Sequence, residues 1–384
     1  METRKLYYED SHLREFTAVV VDCTQTEKGF EIFLDQTAFY PEGGGQACDL
    51  GSLADARVLD VRERGEQVCH LCDKALTVGQ TVTGHIDWER RFDLMQQHTG
   101  EHILSGLIHS RFGYQNSGFH VGAQVMEVDF DGPIPPEALA ELECQANQVI
   151  WDNLPVNCWY PTREELPGIP YRTKRQLPWP VRIVQVPNVD TCACCGVHVK
   201  YTGEVGLIKI LSCVKFHSGV RLEMVCGQRA YRYVRDIFDQ NRWVSQMLSA
   251  KMPETAQAVQ KLLDGYNAEK FRATGLEKQV FDAVAQGYAG RENVVHFGDD
   301  LTGGGVRELA DRIGKVCSGV AAVFSGDDEK GYQMCLVSGS VDVRELGKKL
   351  TDTLSGRGGG KPGAFQGSVK ATRDQIVAFF KDWQ

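Results

Sequence analysis

Two histidines four residues apart, His98 and His102 in QQHTGEHILSG, are matched almost a hundred positions later by Cys194 and His198 in DTCACCGVHVKYTGEVG. On a helix, positions i and i+4 share a face, so the first pair presents two imidazoles together. Cys194-x-x-x-His198 puts a thiolate and an imidazole on one loop. Thiolate with imidazoles is the donor mix that zinc prefers. A chain that uses all four must bring two distant segments into contact, and that demand restricts its topology more than any other feature. The plain alternative is two partly buried helix histidines and ordinary core thiols. Cys69 and Cys72 form a lone C-x-x-C, which reads as strand thiols rather than a second metal site. Cys192 and Cys195 are extra thiols beside Cys194, in competition as ligands.

The rest of the chain frames this pattern. Its 384 residues suffice for two or three domains with real cores. Thirteen cysteines, an odd number in a large chain, suggest thiols in a reducing compartment. No apolar run approaches the length of a membrane span, and the N-terminus lacks a signal-peptide core, so a cytoplasmic protein with no membrane partner is expected. The net charge of -9 makes general nucleic-acid affinity unexpected, so any such binding must come from local patches. The segment 291–384 holds 13 Lys/Arg against 13 Asp/Glu, so the negative excess lies upstream.

Residues 1–90 read as short β-rich runs, which suggests a small barrel or sandwich interrupted by TAFYPEGGGQ. Residues 91–112 switch to a helical apolar stripe, and 134–150 is a second helix. The stretch 154–190 is Pro-rich, with a strand at 181–186, and 203–227 reads as two strands around a turn at His217–Gly219. From 228 to 289 the chain is nearly all helix former, with breaks expected at Pro253 and Gly265. Strands and helices alternate again from 291, ending in a Gly-rich loop, GRGGGKPGAFQGS, and a final helix at 370–384. The fold class is α+β.

DQTAFYPEGGGQACDLG, QQHTGEHILSG and DTCACCGVHVKYTGEVGLIKI, in that order, resemble the editing domain of alanyl-tRNA synthetase and, more closely, the free-standing alanyl-tRNA editing proteins of the AlaX type. SGRGGGKPGAFQGS resembles the glycine-rich motif of that synthetase's C-terminal domain, so the chain looks like the long AlaX form. The resemblance implies a β-barrel domain at 1–90, a zinc-binding editing domain at 91–227, a helical, coiled-coil-like linker at 228–290 and a tRNA-binding and oligomerising α/β domain at 291–384. It implies zinc-dependent hydrolysis of tRNA(Ala) mischarged with serine or glycine, a second sieve where binding alone discriminates poorly between small side chains. Aminoacylation is not expected, because no room is left upstream of the barrel for that module.

By the same resemblance, His98, His102, Cys194 and His198 match the zinc ligands, Thr37 the residue sensing the serine hydroxyl, and Gly43, Gly44, Gly45 and Gln46 the pocket lining. Val197 departs from the family's threonine, which puts substrate preference in question. Arg357, Gly358, Gly359, Gly360 and Lys361 are expected to contact the outer corner of the tRNA, with dimerisation through the same region. Phe365 is placed to stack or to pack, and Arg163 with YRTKR at 171–175 forms a basic patch by the site.

Glu101 is the candidate general base by position, and His120 a second candidate for proton transfer. Amides of Gly43–Gly45 are candidates to stabilise an oxyanion. Four protein ligands usually describe a closed zinc site, so water activation and substrate positioning both stay open. H-x-x-E-H is also the inverted zinc-peptidase signature, though that reading needs a distant carboxylate ligand and leaves Cys194 and His198 superfluous. A tRNA-binding protein with structural zinc is the non-enzymatic alternative.

Overall fold

The computed structural model describes residues 2–173 and 178–381, and the chain divides into two compact units, Met1–Trp243 and Val244–Gln384. That boundary falls inside the segment read from sequence as one helical connector.

In the first unit, β1 (Arg4–Lys5) and the single turn α1 (Leu6–Glu9) precede β2 (Glu15–Thr26) and β3 (Gly29–Leu34). β4 (Gln36–Thr37) pairs with β1 in parallel. β5 (Gly51–Leu53), β6 (Ala56–Arg64), β7 (Gln67–Cys72) and β8 (Thr81–Ile86) join β2 and β3 in a closed barrel of order β2-β3-β7-β6-β5-β8. Alternation along β2 sends Phe16, Ala18 and Val20 inward, where they meet Ile32, Leu34, Leu53 and Val82. Register shifts at Val20/Asp22 and Val58/Asp60 mark bulges, which bend strands and help so few of them close.

The barrel leads into α2 (Trp88–Phe112), capped by the Asp87 side chain and ended at Gly113 in the left-handed region, φ 75°. Two glycines let α2 run through the interior. A Cβ at 100 would lie 2.2 Å from Cys226 Sγ, and one at 106 would lie 2.4 Å from the Val189 carbonyl. β9 (Asn116–Val121) and β10 (Met126–Phe130) follow, then α3 (Pro136–Trp151), β11 (Asn157–Trp159), β12 (Ile183–Val186), β13 (Asp190–Ala193), β14 (Ile208–Phe216) and β15 (Gly219–Cys226). The sheets run β14-β15-β10-β9 and β11-β12-β13. Leu94, Ile103 and Leu104 of α2, Leu142 and Ile150 of α3, and Val128, Leu222 and Met224 of the four-stranded sheet share one core. α4 (Gly227–Met247) ends this part of the chain.

The second unit holds α5 (Thr255–Gln286), β16 (Val294–Phe297), α6 (Gly303–Val316), β17 (Ala321–Asp327), β18 (Gly331–Val337), α7 (Arg344–Thr353), β19 (Arg357–Lys361), β20 (Ala364–Val369) and α8 (Arg373–Phe379). Its sheet order is β16-β17-β18-β20-β19, with only β16–β17 parallel. Three sequence expectations change here. α5 runs unbroken through Gly265, where a glycine costs about 1 kcal/mol and does not end a helix. The Gly-rich loop is a hairpin, because β19 pairs along its whole length with β20. The last helix is confined to Arg373–Phe379 among the described residues. No helix of the described residues is long and apolar enough to cross a membrane.

Candidate metal centre

The α2 helix places His98 and His102 one turn apart, with ring centroids 5.3 Å from each other. The loop after β13 brings Cys194 and His198 to the same point. One ligand atom from each of the four lies within 4.8 Å of the other three. Cys194 Sγ is 3.4 Å from His98 Nε2, close to the edge of a zinc tetrahedron, about 3.5 Å for bonds of 2.0–2.3 Å. The loop can pass this close because residue 196 is glycine; a Cβ there would lie 2.1 Å from His98 Cε1. Arg182 holds the loop from behind, donating to the carbonyls of Cys194 and Gly196.

Each imidazole has its Nδ1 occupied by a different partner. His98 Nδ1 meets Gln46 Oε1 at 2.7 Å, His102 Nδ1 meets Asp190 Oδ2 at 2.9 Å, and His198 Nδ1 meets Thr99 Oγ1 at 3.1 Å. Outer partners of this kind fix the tautomer, leaving Nε2 as the bare donor to a metal. His198 Nε2 is buried without a hydrogen-bond partner, as a nitrogen reserved for a cation is. Burial alone would raise the Cys194 thiol, but the three surrounding imidazoles hold it well below its usual range. Burial, with His98 beside it, pushes His198 down to about 3, so its lone pair is available. Three imidazole nitrogens and one thiolate fit zinc by type and number.

Asp190 is itself clamped by Arg172, at 2.7 and 2.8 Å. Sequence reading missed Asp190, Thr99 and Arg172 as partners. The only signal was that Asp190 opens the strand leading to Cys194. The clamp also removes Arg172 from the expected basic patch, because its charge is used internally; Lys174 and Arg175 lie outside the described residues. A second acidic-thiol group, His102, Asp190 and Cys192, sits alongside. Arg172 already neutralises its carboxylate, and burial raises the Cys192 thiol to about 11.

Family models match three stretches: "tRNA synthetases class II (A)" at residues 2–90, "Threonyl and Alanyl tRNA synthetase second additional domain" at 181–222, and the "DHHA1 domain" at 290–384. The mouse alanyl-tRNA editing protein Aarsd1 is 31% identical, over 97% of this chain and 96% of its own length. The chain belongs to the alanyl-tRNA editing proteins. Alanyl-tRNA editing protein AlaX-L of Pyrococcus horikoshii is 29% identical over the same shares. The alanine–tRNA ligase of Thermofilum pendens is 32% identical over 98% of this chain, but only 43% of the ligase is covered.

In this editing protein the remaining candidates take unequal positions. Gly44 and Gly45 have φ of 60° and 87°, and Gly43 and Gln46 bond each other backbone to backbone. The glycines therefore make a tight turn that aims Gln46 at His98. The Gly43 amide is used inside that turn, so it is not a donor for an oxyanion. Thr37 is fully buried. Its hydroxyl meets His70 Nε2 at 2.8 Å and accepts from the Phe39 amide. His120 is exposed. Its neighbour Phe119 stacks on His98 at 5.0 Å, and alternation along β9 turns His120 to the other face. Val197 is fully buried in the apolar core, so its missing hydroxyl faces packing. Glu101 is buried rather than solvated, with Oε2 3.9 Å from His102 Nε2. Cys195 is exposed.

Proposed function

We propose that this protein is a trans-editing deacylase that hydrolyses the ester of tRNA(Ala) mischarged with serine, and with glycine as a further substrate, using zinc held by His98, His102, Cys194 and His198. The observation that carries this reading is the convergence of three Nε2 atoms and one thiolate on a point flanked by the Gly43–Gln46 turn. When bound, zinc supplies Lewis-acid polarisation and a lowered pKa for water. The protein's own part is positioning: Gln46, Asp190 and Thr99 hold the imidazoles, and Arg182 holds the ligand loop. The inverted-peptidase reading calls for a distant carboxylate ligand, whereas the four places here are taken by imidazoles and a thiolate. The test is serine release from Ser-tRNA(Ala) against Ala-tRNA(Ala) by zinc-loaded protein. Rapid release from the first and slow release from the second is expected; equal rates, or none, refute the reading.

We assign tRNA contact to the β19 edge. Arg357, Gly359 and Lys361 alternate onto one face, and nothing lies within 4 Å of a Cβ built at Gly359. Gly358 and Gly360 pack on β20, where a Cβ would lie 2.6 and 2.1 Å from carbonyl oxygens. Two cations thus flank a flat strip open to a phosphate backbone, with dimerisation a further role of this unit. Phe365 is buried and packs. Removing both charges, Arg357→Ala with Lys361→Ala, is expected to raise the KM for tRNA about tenfold and to flatten its salt dependence by about two phosphate contacts. An unchanged salt slope would move the tRNA elsewhere.

A further inference from the structure

Two exposed aromatic rings border the ligand loop without a part in the reading above. Tyr8 donates its hydroxyl to the Cys195 carbonyl at 2.9 Å, next to the ligand Cys194. The Arg182 guanidinium, which holds the carbonyls of Cys194 and Gly196, lies 4.7 Å from the centre of the Tyr8 ring. Tyr160 meets the same ring in a T-shaped contact, centroids 6.1 Å apart, and is 47% exposed. β11 pairs antiparallel with β12 as far as Trp159 opposite Ile183. Carrying that register outward sets Tyr160 opposite Arg182 and Arg163 opposite Trp179. Arg163 does lie over the Trp179 ring, 5.3 Å from its centre, and Trp179 is 42% exposed. The turn that carries Arg163 is held by Thr162 and Glu165, each amide bonded to the other's side chain, at 2.8 and 3.2 Å. A lone exposed ring needs no explanation. Here two rings and a guanidinium lead outward from the ligand loop along one pair of extended segments.

Resting on the ester hydrolysis proposed above, we propose that Tyr160 and Trp179 form a stacking track for the unpaired 3′ end of the tRNA, with the terminal base on Tyr160 and the penultimate one on Trp179. The aminoacyl ester sits on the terminal ribose. Presenting that ester to the metal therefore carries the terminal base to the border of the centre, where Tyr160 is the exposed ring joined to the ligand loop through Tyr8 and Arg182. Three positions along an extended segment, about 10 Å, separate the two rings. Stacked bases are only about 3.4 Å apart. The strand thus arrives with its bases splayed, the form in which unpaired RNA stacks on aromatic rings and guanidinium planes. Arg163 widens the Trp179 platform with such a plane. Every base has a π-face, so the track accepts the 3′ end that all tRNAs share. It fixes where the ester lies and leaves the choice among tRNAs to other contacts.

The experiment places 2-aminopurine, a fluorescent base quenched by stacking, at the 3′ terminus of uncharged tRNA(Ala) and adds zinc-loaded full-length protein. Wild type is expected to quench the probe, and Tyr160→Ala to lose that quenching. On Ser-tRNA(Ala), Tyr160→Ala should lower kcat/KM about 10- to 100-fold, the scale of one base–aromatic stack. Tyr160→Phe keeps the ring, so it should keep the quenching and stay within about twofold of wild type in kcat/KM. Trp179→Ala should leave the terminal base quenched and lower kcat/KM about tenfold. Zinc content and melting curves check folding. The same probe at the penultimate position reads Trp179→Ala, which carries the test if Tyr160→Ala does not fold. Undiminished quenching in Tyr160→Ala overturns the track. Equal damage from Tyr160→Phe overturns it too, because the hydroxyl would then be the working part. A probe left bright by wild type overturns the track whatever the rate of serine release. Quenching without serine release overturns the ester hydrolysis and leaves the track standing.

Discussion

Replacing His102 by alanine should empty the metal centre, taking zinc from about one per chain to near none and lowering serine release by about three orders of magnitude. The size follows from the geometry. His102 lies between two groups of partners, with Cys194 and the other imidazoles on its Nε2 side and the Asp190–Arg172 pair on Nδ1. Losing it removes a ligand and leaves the Asp190 carboxylate buried with one partner fewer. Asp190→Asn gives a graded companion result. The outer hydrogen bond survives in weakened form, so zinc affinity should fall about 10–100-fold without loss of stoichiometry at saturating metal. Chelator competition reads both variants directly. Wild-type zinc affinity in Asp190→Asn would show that the carboxylate serves only Arg172. Full activity in a zinc-free His102→Ala would leave the metal without a chemical role.

A comparable effect on stability is expected from Arg91. Its side chain and that of Asp49 have no exposed surface, and the guanidinium donates to both Asp49 oxygens and to the carbonyls of Ser11 and Ala38. Asp49 also accepts from the Tyr40 amide. One arginine at the start of α2 thus fixes the segments on both sides of the Gly43–Gln46 turn. Arg91→Met should cost about 3–5 kcal/mol, because it leaves a buried carboxylate unpaired. For a unit of this size that is a fall of roughly 6–20 °C in the first thermal transition. Arg91→Met with Asp49→Leu should recover part of the loss, since removing both charges takes away the unpaired one. A shift under 2 °C in the single variant, measured by scanning calorimetry, would mean that water reaches this pair and the burial argument is wrong.

The two buried pairs mark where sequence reading stops. Neither Asp49–Arg91 nor Asp190–Arg172 was singled out, because each joins residues 42 or 18 positions apart that carry no shared motif. An aspartate that will be buried reads the same as one in a turn. His120 shows a related limit. It stands next to Phe119, which stacks on His98, yet a strand reverses its side chains at every step, so a difference of one position decides the face. From sequence alone Gly358 and Gly360 read as loop residues, because glycine marks turns. In the hairpin they are small residues in close packing, and only the pairing with β20 shows it.

What the sequence alone determined was the local and the chemical: the helix that spaces His98 and His102, the donor types suited to zinc, the β character of the first 90 residues, and the order of motifs. Periodicity and ligand chemistry are written in neighbouring residues, so no third dimension is needed to read them. Tertiary structure alone decided which nitrogen of each imidazole faces the centre and which carboxylates are buried against which arginines. Those are relations between distant segments, set by where the backbone packs.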